Sequence, residues 1–318
     1  MRHLVSGGTG FIGSHLIDHL MSDGSNRVIC IDDCNIRSKR NIAHWLSNPR
    51  FEFIQDNICN CPYLDVDKIW HLAACDSSSR LPIDPIAITK STISGTLCLL
   101  ELAKNTNAEF LLASSSDVYG NPQVVCQAED YFGNVNPIGF RACFQEGKRV
   151  AESLCFDYKR THSLTIHIAR LFDSYGPRMI PENQHVVSNF ICQLLNHKPI
   201  FITGDGSQIR SFCYIKDLIS GIVYLMNSNH SGPINLGNPD PISISLLAHV
   251  IASSLSPPVS IIFLPSTDDE ARSLCPSIEL ARTLLNWQPL TALENGLIDT
   301  ISDLQSQQFN KIYHDSVS

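Results

Sequence analysis

Apolar residues in the first half of the chain come in short dense runs. Between them lie stretches where apolar positions recur at helical spacing. Leu4-Val5-Ser6 reads as a strand entering a glycine turn, and Phe11 to Met21 places Ile12, Leu16 and Leu20 on one face of a helix. Arg27 to Ile31 is the next strand, ending at Asp32 and Asp33, and Phe51–Ile54 and Lys68–Leu72 are two more. Ile93–Lys104 reads as a helix, and Glu109–Ala113 as a strand leading into Ser114-Ser115-Ser116. Phe144–Thr161 reads as a long helix, followed by the strand Leu164–Leu171. Strand and helix in alternation predict an α/β fold, a doubly wound parallel sheet of Rossmann type with both faces covered.

After Gly176-Pro177-Arg178 the pattern becomes less regular. Helices are expected at Asn189–Leu195 and Asp217–Asn227, and strands at Pro199–Thr203 and, past Pro257-Pro258, at Val259–Leu264. Ile278–Leu285 and Leu293–Ser306 read as closing helices, with a polar tail from about Gln307. This predicts a smaller mixed α/β domain.

Composition narrows the partners. The chain has 318 residues, 43% of them hydrophobic, enough for a large core, and a net charge of −8. That balance argues against a nucleic-acid partner. The one basic cluster, Arg37-Ser38-Lys39-Arg40, reads either as a solvated loop or as a contact to a cofactor phosphate. The 12 cysteines are scattered singly, as at Cys30, Cys98, Cys155 and Cys192. Cys59 and Cys61 lack the second pair a zinc site needs, so no metal is expected, and most cysteines read as small core residues in a reducing compartment. No apolar run reaches the roughly 18 residues of a membrane helix. The first strand begins at His3, which leaves no room for a signal peptide. A soluble, cytoplasmic protein is the expectation.

The candidate chemistry starts at Gly7, Gly10 and Gly13, which follow a strand and open a helix. Glycines there permit a tight turn and close approach of a pyrophosphate to the helix N-terminus. Asp32 ends the next strand about 20 residues on, where a carboxylate accepts from a ribose 2′-hydroxyl and repels a 2′-phosphate. NAD is therefore the expected cofactor. The expected division is an NAD-binding domain over 1–175, a mainly substrate-binding domain over 176–310 with 213–238 returning to the first, and a tail over 311–318. His71 reads as a core histidine.

These parts, followed by Phe144 four residues before Lys148, resemble the extended short-chain dehydrogenase/reductase family, whose Tyr-x-x-x-Lys pair carries proton transfer. Further runs are similar to one subgroup, the UDP-glucuronate decarboxylases (UDP-xylose synthases). They include Ser114-Ser115-Ser116-Asp117-Val118-Tyr119-Gly120, Asn136-Pro137-Ile138-Gly139-Phe140-Arg141-Ala142-Cys143, Gly176-Pro177-Arg178-Met179 and Asn235-Leu236-Gly237-Asn238-Pro239. The resemblance implies C4 oxidation of a nucleotide sugar acid by NAD+, loss of CO2 and re-reduction. It implies that Ser115, with Ser116, meets the C4 oxygen, that Asp117 stands where a glutamate assists, and that Lys148 holds the nicotinamide ribose. Cofactor contacts are implied at Gly7, Gly10, Phe11, Ile12, Gly13, Asp32, Asp33, Asn57, Ile58, Leu72, Ala73, Ala74 and Lys90. Substrate contacts are implied at Asp173, Arg178, Asn189, Arg210 and Tyr214, with Arg210 near the sugar carboxylate. A homodimer through helices around 93–104 and 144–160 is implied as well.

The departures cluster. Phe144 replaces the catalytic tyrosine, and a benzyl ring has no ionisable proton. Asp117 is one methylene shorter than the expected glutamate. Asp173 stands for an asparagine, Leu274 for a phosphate-binding arginine, and Arg80-Leu81-Pro82-Ile83-Asp84-Pro85 lacks sugar-facing tyrosines. Three readings stay open: the subgroup reaction with altered base chemistry, the same reaction on a different acid, and an NAD-binding partner subunit without catalysis.

Overall fold

The computed structural model describes residues 1–34, 39–73, 84–180, 185–254, 258–265 and 273–317, with side chains to 308. In chain order the elements are β1 (Arg2–Ser6), α1 (Phe11–Ser22), β2 (Arg27–Asp32), β3 (Phe51–Gln55), β4 (Lys68–His71), α2 (Pro85–Thr106), β5 (Glu109–Ser115), α3 (Ala142–His162) and β6 (Ile166–Leu171). Then come β7 (Ser174–Tyr175), α4 (Val186–Leu195), β8 (Ile200–Thr203), β9 (Ile209–Arg210), β10 (Cys213–Tyr214), α5 (Ile215–Met226), β11 (Ile234–Leu236) and β12 (Ile242–Ser243). The chain closes with α6 (Ile244–Ala252), β13 (Ile261–Leu264), β14 (Ser273–Leu274), α7 (Glu279–Leu285) and α8 (Leu293–Val317). Short 3₁₀ turns follow β2, β3 and β5.

Seven strands form one parallel sheet in the order β11-β6-β5-β4-β1-β2-β3. Its apolar runs are continuous because both faces are buried, and successive residues serve opposite cores. Val5, Val28, Cys30, Trp70 and Leu111 join the cluster that includes α1 and α5 residues. Leu4, Ile29, Ile31, Ile69 and Leu112 join the cluster formed with α2 and α3 residues. The strand order reverses between β1 and β4, which opens a crevice at the strand C-termini.

The second half does not have a core of its own. The first cluster runs without a break from Val5 through Ile215, Ile222 and Ile251 to Leu304. Within it β11 adds the seventh strand to the sheet, while β7 pairs β10, β8 pairs β13, and β9 lies between β12 and β14. The small sheets thus rest on an apolar foundation shared with the large one.

Four expectations need correction. The α2 helix starts at Pro85 and not near Ile93, because Asp84 accepts the Ala87 N–H at 2.9 Å and Pro85 opens the first turn. That helix is long and apolar enough to cross a membrane by length and composition, although it contains no uninterrupted apolar run. Its residues Leu99, Leu100 and Ala103 pack against the sheet. The α6 helix and the strand β11 were not legible in the pattern; Ser243 caps α6 by accepting the Leu246 N–H at 3.1 Å. Finally, α8 continues through the polar stretch beyond Gln307, where Gln307, Gln308 and Lys311 sustain a helix.

A buried polar network fastens α3 to the sheet. Arg170 of β6 forks onto Glu152 of α3, with Nε donating to Oε1 at 3.0 Å and Nη2 to Oε2 at 2.8 Å. Ser114 donates to the same Oε1 at 2.6 Å. Arg170 Nη1 donates to the Tyr119 hydroxyl at 3.0 Å, which in turn donates to Asn235 Oδ1 at 2.7 Å. Replacing Glu152 with alanine leaves the guanidinium unpaired, and urea denaturation should show a loss of about 3–5 kcal/mol. Glu146→Ala breaks only an exposed pair with Arg149 and should cost under about 1 kcal/mol in the same assay.

Candidate active site

The cofactor side is built from backbone. Gly7 sits at φ 72°, and a Cβ there would lie 2.7 Å from the Ala73 Cα and N. A Cβ on Gly13 would stand 2.2 Å from the Gly7 carbonyl oxygen. The β1 turn, the start of α1 and the end of β4 are thus in van der Waals contact, which only glycine allows. Gly10 leaves the first turn of α1 without a side-chain cap, so its N–H groups remain for an anion. Asp32 Oδ2 accepts the Thr9 N–H at 2.9 Å, and burial raises its pKa above the ordinary carboxylate value. Asp33, next to it, is exposed. Glycine cradle, open helix terminus and strand-end carboxylate fit a dinucleotide.

His71 is a strand-end strut. The Thr96 hydroxyl donates to the Thr92 carbonyl at 2.7 Å, so His71 Nε2 must donate to Thr96 Oγ1 at 3.1 Å. Its Nδ1 then accepts from Ser6 Oγ at 2.8 Å, and Ser6 Oγ accepts the Ala73 N–H at 3.3 Å. Burial, and secondly the charge of Lys148, push the imidazole pKa down to about 3.

Other cofactor-side positions have plain structural partners. Ile58 is buried against Gly95 of α2. Asn57 Oδ1 accepts the Cys59 N–H at 2.9 Å, which leaves a second lone pair. The Leu72 N–H donates to the Ser6 carbonyl at 3.1 Å. Phe11 stacks edge-on to His15, Ile12 is half-buried beside it on α1, and Lys90 is exposed on α2. Ala74 lies outside the described residues.

The chemistry side forms where β5 ends against the first turns of α3. Ser115 Oγ donates to Asp117 Oδ2 at 3.1 Å and accepts the Asp117 N–H at 3.1 Å. Arg141 Nη2 donates to the other carboxylate oxygen at 2.8 Å. Ser116 is buried in the following 3₁₀ turn. Lys148 is buried and donates to the Ala113 carbonyl at 2.8 Å, with its Nζ 6.0 Å from the Phe144 ring centroid. The four-residue spacing puts both on one face of α3. Phe144 itself packs against Ile88 and Cys143. Arg141 was not among the residues expected from sequence; its partner lies 24 positions away, and no local motif joins them.

The substrate side divides. Arg210 Nη1 donates to Asp173 Oδ2 at 3.2 Å, so the carboxylate expected to face a substrate diphosphate faces a guanidinium. Leu274 of β14 is buried in register with Arg210 of β9. Asn189 is exposed on the first turn of α4. Two expected substrate contacts are tied elsewhere. Arg178 donates from Nη2 to Asp18 at 2.5 Å and from its backbone to Asp303 at 2.7 Å, which clamps α1 to α8. Tyr214 is buried and donates to Asp299 at 2.7 Å, beside Tyr175. Both are held inside the packing between elements, and among the described residues Arg178 Nη1 is buried with no hydrogen-bond partner. The run from Arg80 to Ile83 lies outside the described residues.

Fold and site together define an α/β protein with a dinucleotide-binding cleft. Residues 3–237 match the NAD dependent epimerase/dehydratase family, and the chain belongs to that family, with NAD as its cofactor. It is 45% identical over 297 residues to UDP-glucuronic acid decarboxylase 6 of Arabidopsis thaliana, covering 93% of this chain and 87% of that one. Among solved structures it is similar to the UDP-glucuronic acid 4-epimerase of Bacillus cereus in complex with UDP-glucuronic acid and NAD. The TM-score is 0.86 at 31% identity, covering 96% of this chain and 100% of the other. A tyrosine-to-phenylalanine mutant of that epimerase, solved with UDP-4-deoxy-4-fluoro-glucuronic acid and NAD, matches with the same TM-score of 0.86 and identity of 31%, covering 96% of this chain and 100% of that one.

Two measurements test the site. Gly7→Ala should weaken NAD+ binding on the order of tenfold or more in calorimetric titration, from about 1–3 kcal/mol of backbone strain. Gly24→Ala, where nothing lies within 4 Å of the new Cβ, should leave it unchanged. For His71, the unfolded chain takes up a proton below about pH 6.5 and the folded chain does not until about pH 3. Stability should therefore fall with acidification through that window, by about 1.4 kcal/mol per pH unit from this group. A His71→Gln variant should show a shallower slope in denaturation curves between pH 7 and 4.5.

Proposed function

We propose that this chain is a UDP-glucuronate decarboxylase in which Asp117, acting through Ser115, takes the proton that the missing tyrosine would take. The observation behind this reading is the Ser115–Asp117–Arg141 array, with hydrogen bonds of 3.1 and 2.8 Å, across from Lys148. Bound NAD supplies the hydride acceptor and later the donor. The sugar C4 hydroxyl passes its proton to Ser115 Oγ while the serine proton moves to Asp117 Oδ2. Arg141 on the second oxygen holds the carboxylate in place. Oxidation at C4 makes the acid a β-keto acid; CO2 leaves, and the resulting enolate takes a proton from solvent at C5. The proton held by Asp117 returns through Ser115 when the ketone is reduced, so the chain ends as it began.

A different acid substrate is the second reading, and the Asp173–Arg210 pair favours it. A guanidinium already facing a carboxylate offers less to an anionic ligand than a free one, and Leu274 adds no charge beside it. A homodimer belongs to either reading; Leu97 of α2 and Val150 of α3 stand partly exposed and support it.

The test is incubation with UDP-glucuronate and NAD+, followed by detection of CO2 and UDP-xylose. Slow turnover is expected from the wild type. Phe144→Tyr should raise kcat by roughly 10²–10⁴. Asp117→Asn should abolish wild-type turnover but cost little in the Phe144→Tyr background. Equal activity of Asp117→Asn and wild type would sink the proton route. Silence in every variant, with NAD+ still bound, would sink the substrate.

A further inference from the structure

Cys126 and Cys275 lie 149 residues apart in sequence, yet their sulfurs are 3.4 Å apart. Cys126 sits in the loop after the 3₁₀ turn of Ser116–Tyr119, and Cys275 directly follows β14. A disulfide requires about 2.05 Å between sulfurs, so closure asks for a movement of about 1.4 Å. The backbone on both sides is held together by hydrogen bonds. The Gln127 N–H donates to the Cys275 carbonyl at 2.8 Å, and the Cys275 N–H donates to Gln127 Oε1 at 2.9 Å. The Ser277 N–H donates to the Gln127 carbonyl at 2.9 Å, in an isolated parallel bridge between Gln127 and Pro276. Gln127 is fully buried, so this stitch is shielded from water. The stitch keeps the two sulfurs close together in the reduced protein.

We infer that Cys126 and Cys275 form a reversible oxidation site, closed to an intrachain disulfide by hydroperoxides. The two sulfurs differ in the way such a site needs. Cys126 is exposed and meets the oxidant, while Cys275 is 1% exposed and accepts the Cys126 S–H. Burial pushes the Cys275 thiol up to about 12, which keeps it protonated in the reduced protein. The Cys126 thiol gives up its proton and its sulfur attacks one oxygen of hydrogen peroxide; the O–O bond breaks, and the departing hydroxide takes up that proton, so a sulfenic acid and one water result. Cys275 sulfur then attacks the sulfenic sulfur, the S–S bond forms, the S–O bond breaks, and a second water leaves. Two thiols lose two electrons in total, and one hydroperoxide is reduced by two. A small dithiol reverses the step by exchange.

The bond would tie the loop around Cys126 to the strand whose Leu274 is in register with Arg210. One wall of the cleft would then be covalently fixed to the segment that follows the Ser115–Asp117 turn. This inference does not depend on the reaction the cleft performs.

The test is peptide mass mapping without reduction, on purified full-length protein before and after a few equivalents of hydrogen peroxide. The expected product is one cross-linked peptide pair joining Cys126 to Cys275, two hydrogens lighter than the two thiol peptides, and restored to them by dithiothreitol. Its formation should raise the unfolding temperature by several degrees, since it closes a long loop. Cys126→Ser and Cys275→Ser should each abolish both the cross-link and the shift. Cys126 carried to sulfinic acid with Cys275 untouched, or pairing of either with another cysteine, would overturn the inference. So would a Cys126→Ser variant that stabilises on oxidation as the wild type does.

Discussion

The pairing of Arg170 with Glu152 is the constraint on which the site depends. Two charges removed from water are stable there only because the fork is bidentate and Ser114, Tyr119 and Glu129 complete the hydrogen bonds. The pair sets the rotation and height of α3 against β5 and β6. Lys148 lies one turn before Glu152 on the same helix face, and Ser115 follows Ser114 on the strand. Fixing that interface therefore fixes where the lysine, the phenyl ring of Phe144 and the Ser115 hydroxyl stand relative to one another. A site that must hold donors and acceptors to within fractions of an ångström gains from a support that admits one geometry.

Charge in the cleft is organised in pairs. Arg141 meets Asp117, and Arg210 meets Asp173. Asp173, alarming as a lone carboxylate in a cleft expected to bind a diphosphate, is tolerable beside Arg210. The change at Asp173 and the role of Arg210 are thus one question and not two. By contrast, the cofactor side shows no such re-pairing: its glycines, its open helix terminus and Asp32 stand as a dinucleotide requires. The divergence of this chain lies on the side of the cleft where a substrate would be recognised and deprotonated.

Legibility followed the range of the interactions. The glycine turn, the strand-end aspartate and the serine cluster were readable because each is a local device whose residues are close in sequence. The start of α2 was readable too, in Asp84 and Pro85, but dilute periodicity over Thr89 to Thr92 hid it. Arg178 and Tyr214 sit in motifs that resemble substrate contacts, yet the Tyr214 hydroxyl donates to Asp299 and one arm of the Arg178 guanidinium to Asp18, both on other helices. Arg141, the cation that orders Asp117, lay in a recognisable run, but nothing local paired it with Asp117.

Sequence alone determined the parallel α/β sheet, the dinucleotide cradle and the absence of a phenolic proton at Phe144. These follow from periodicity, from the backbone freedom of glycine and from the chemistry of single side chains. Tertiary structure decided which charges neutralise which, that the two halves share one core, and that Cys126 and Cys275 are neighbours. Those outcomes depend on contacts between residues far apart in the chain, and such contacts exist only once the hydrophobic faces of the sheet have been covered.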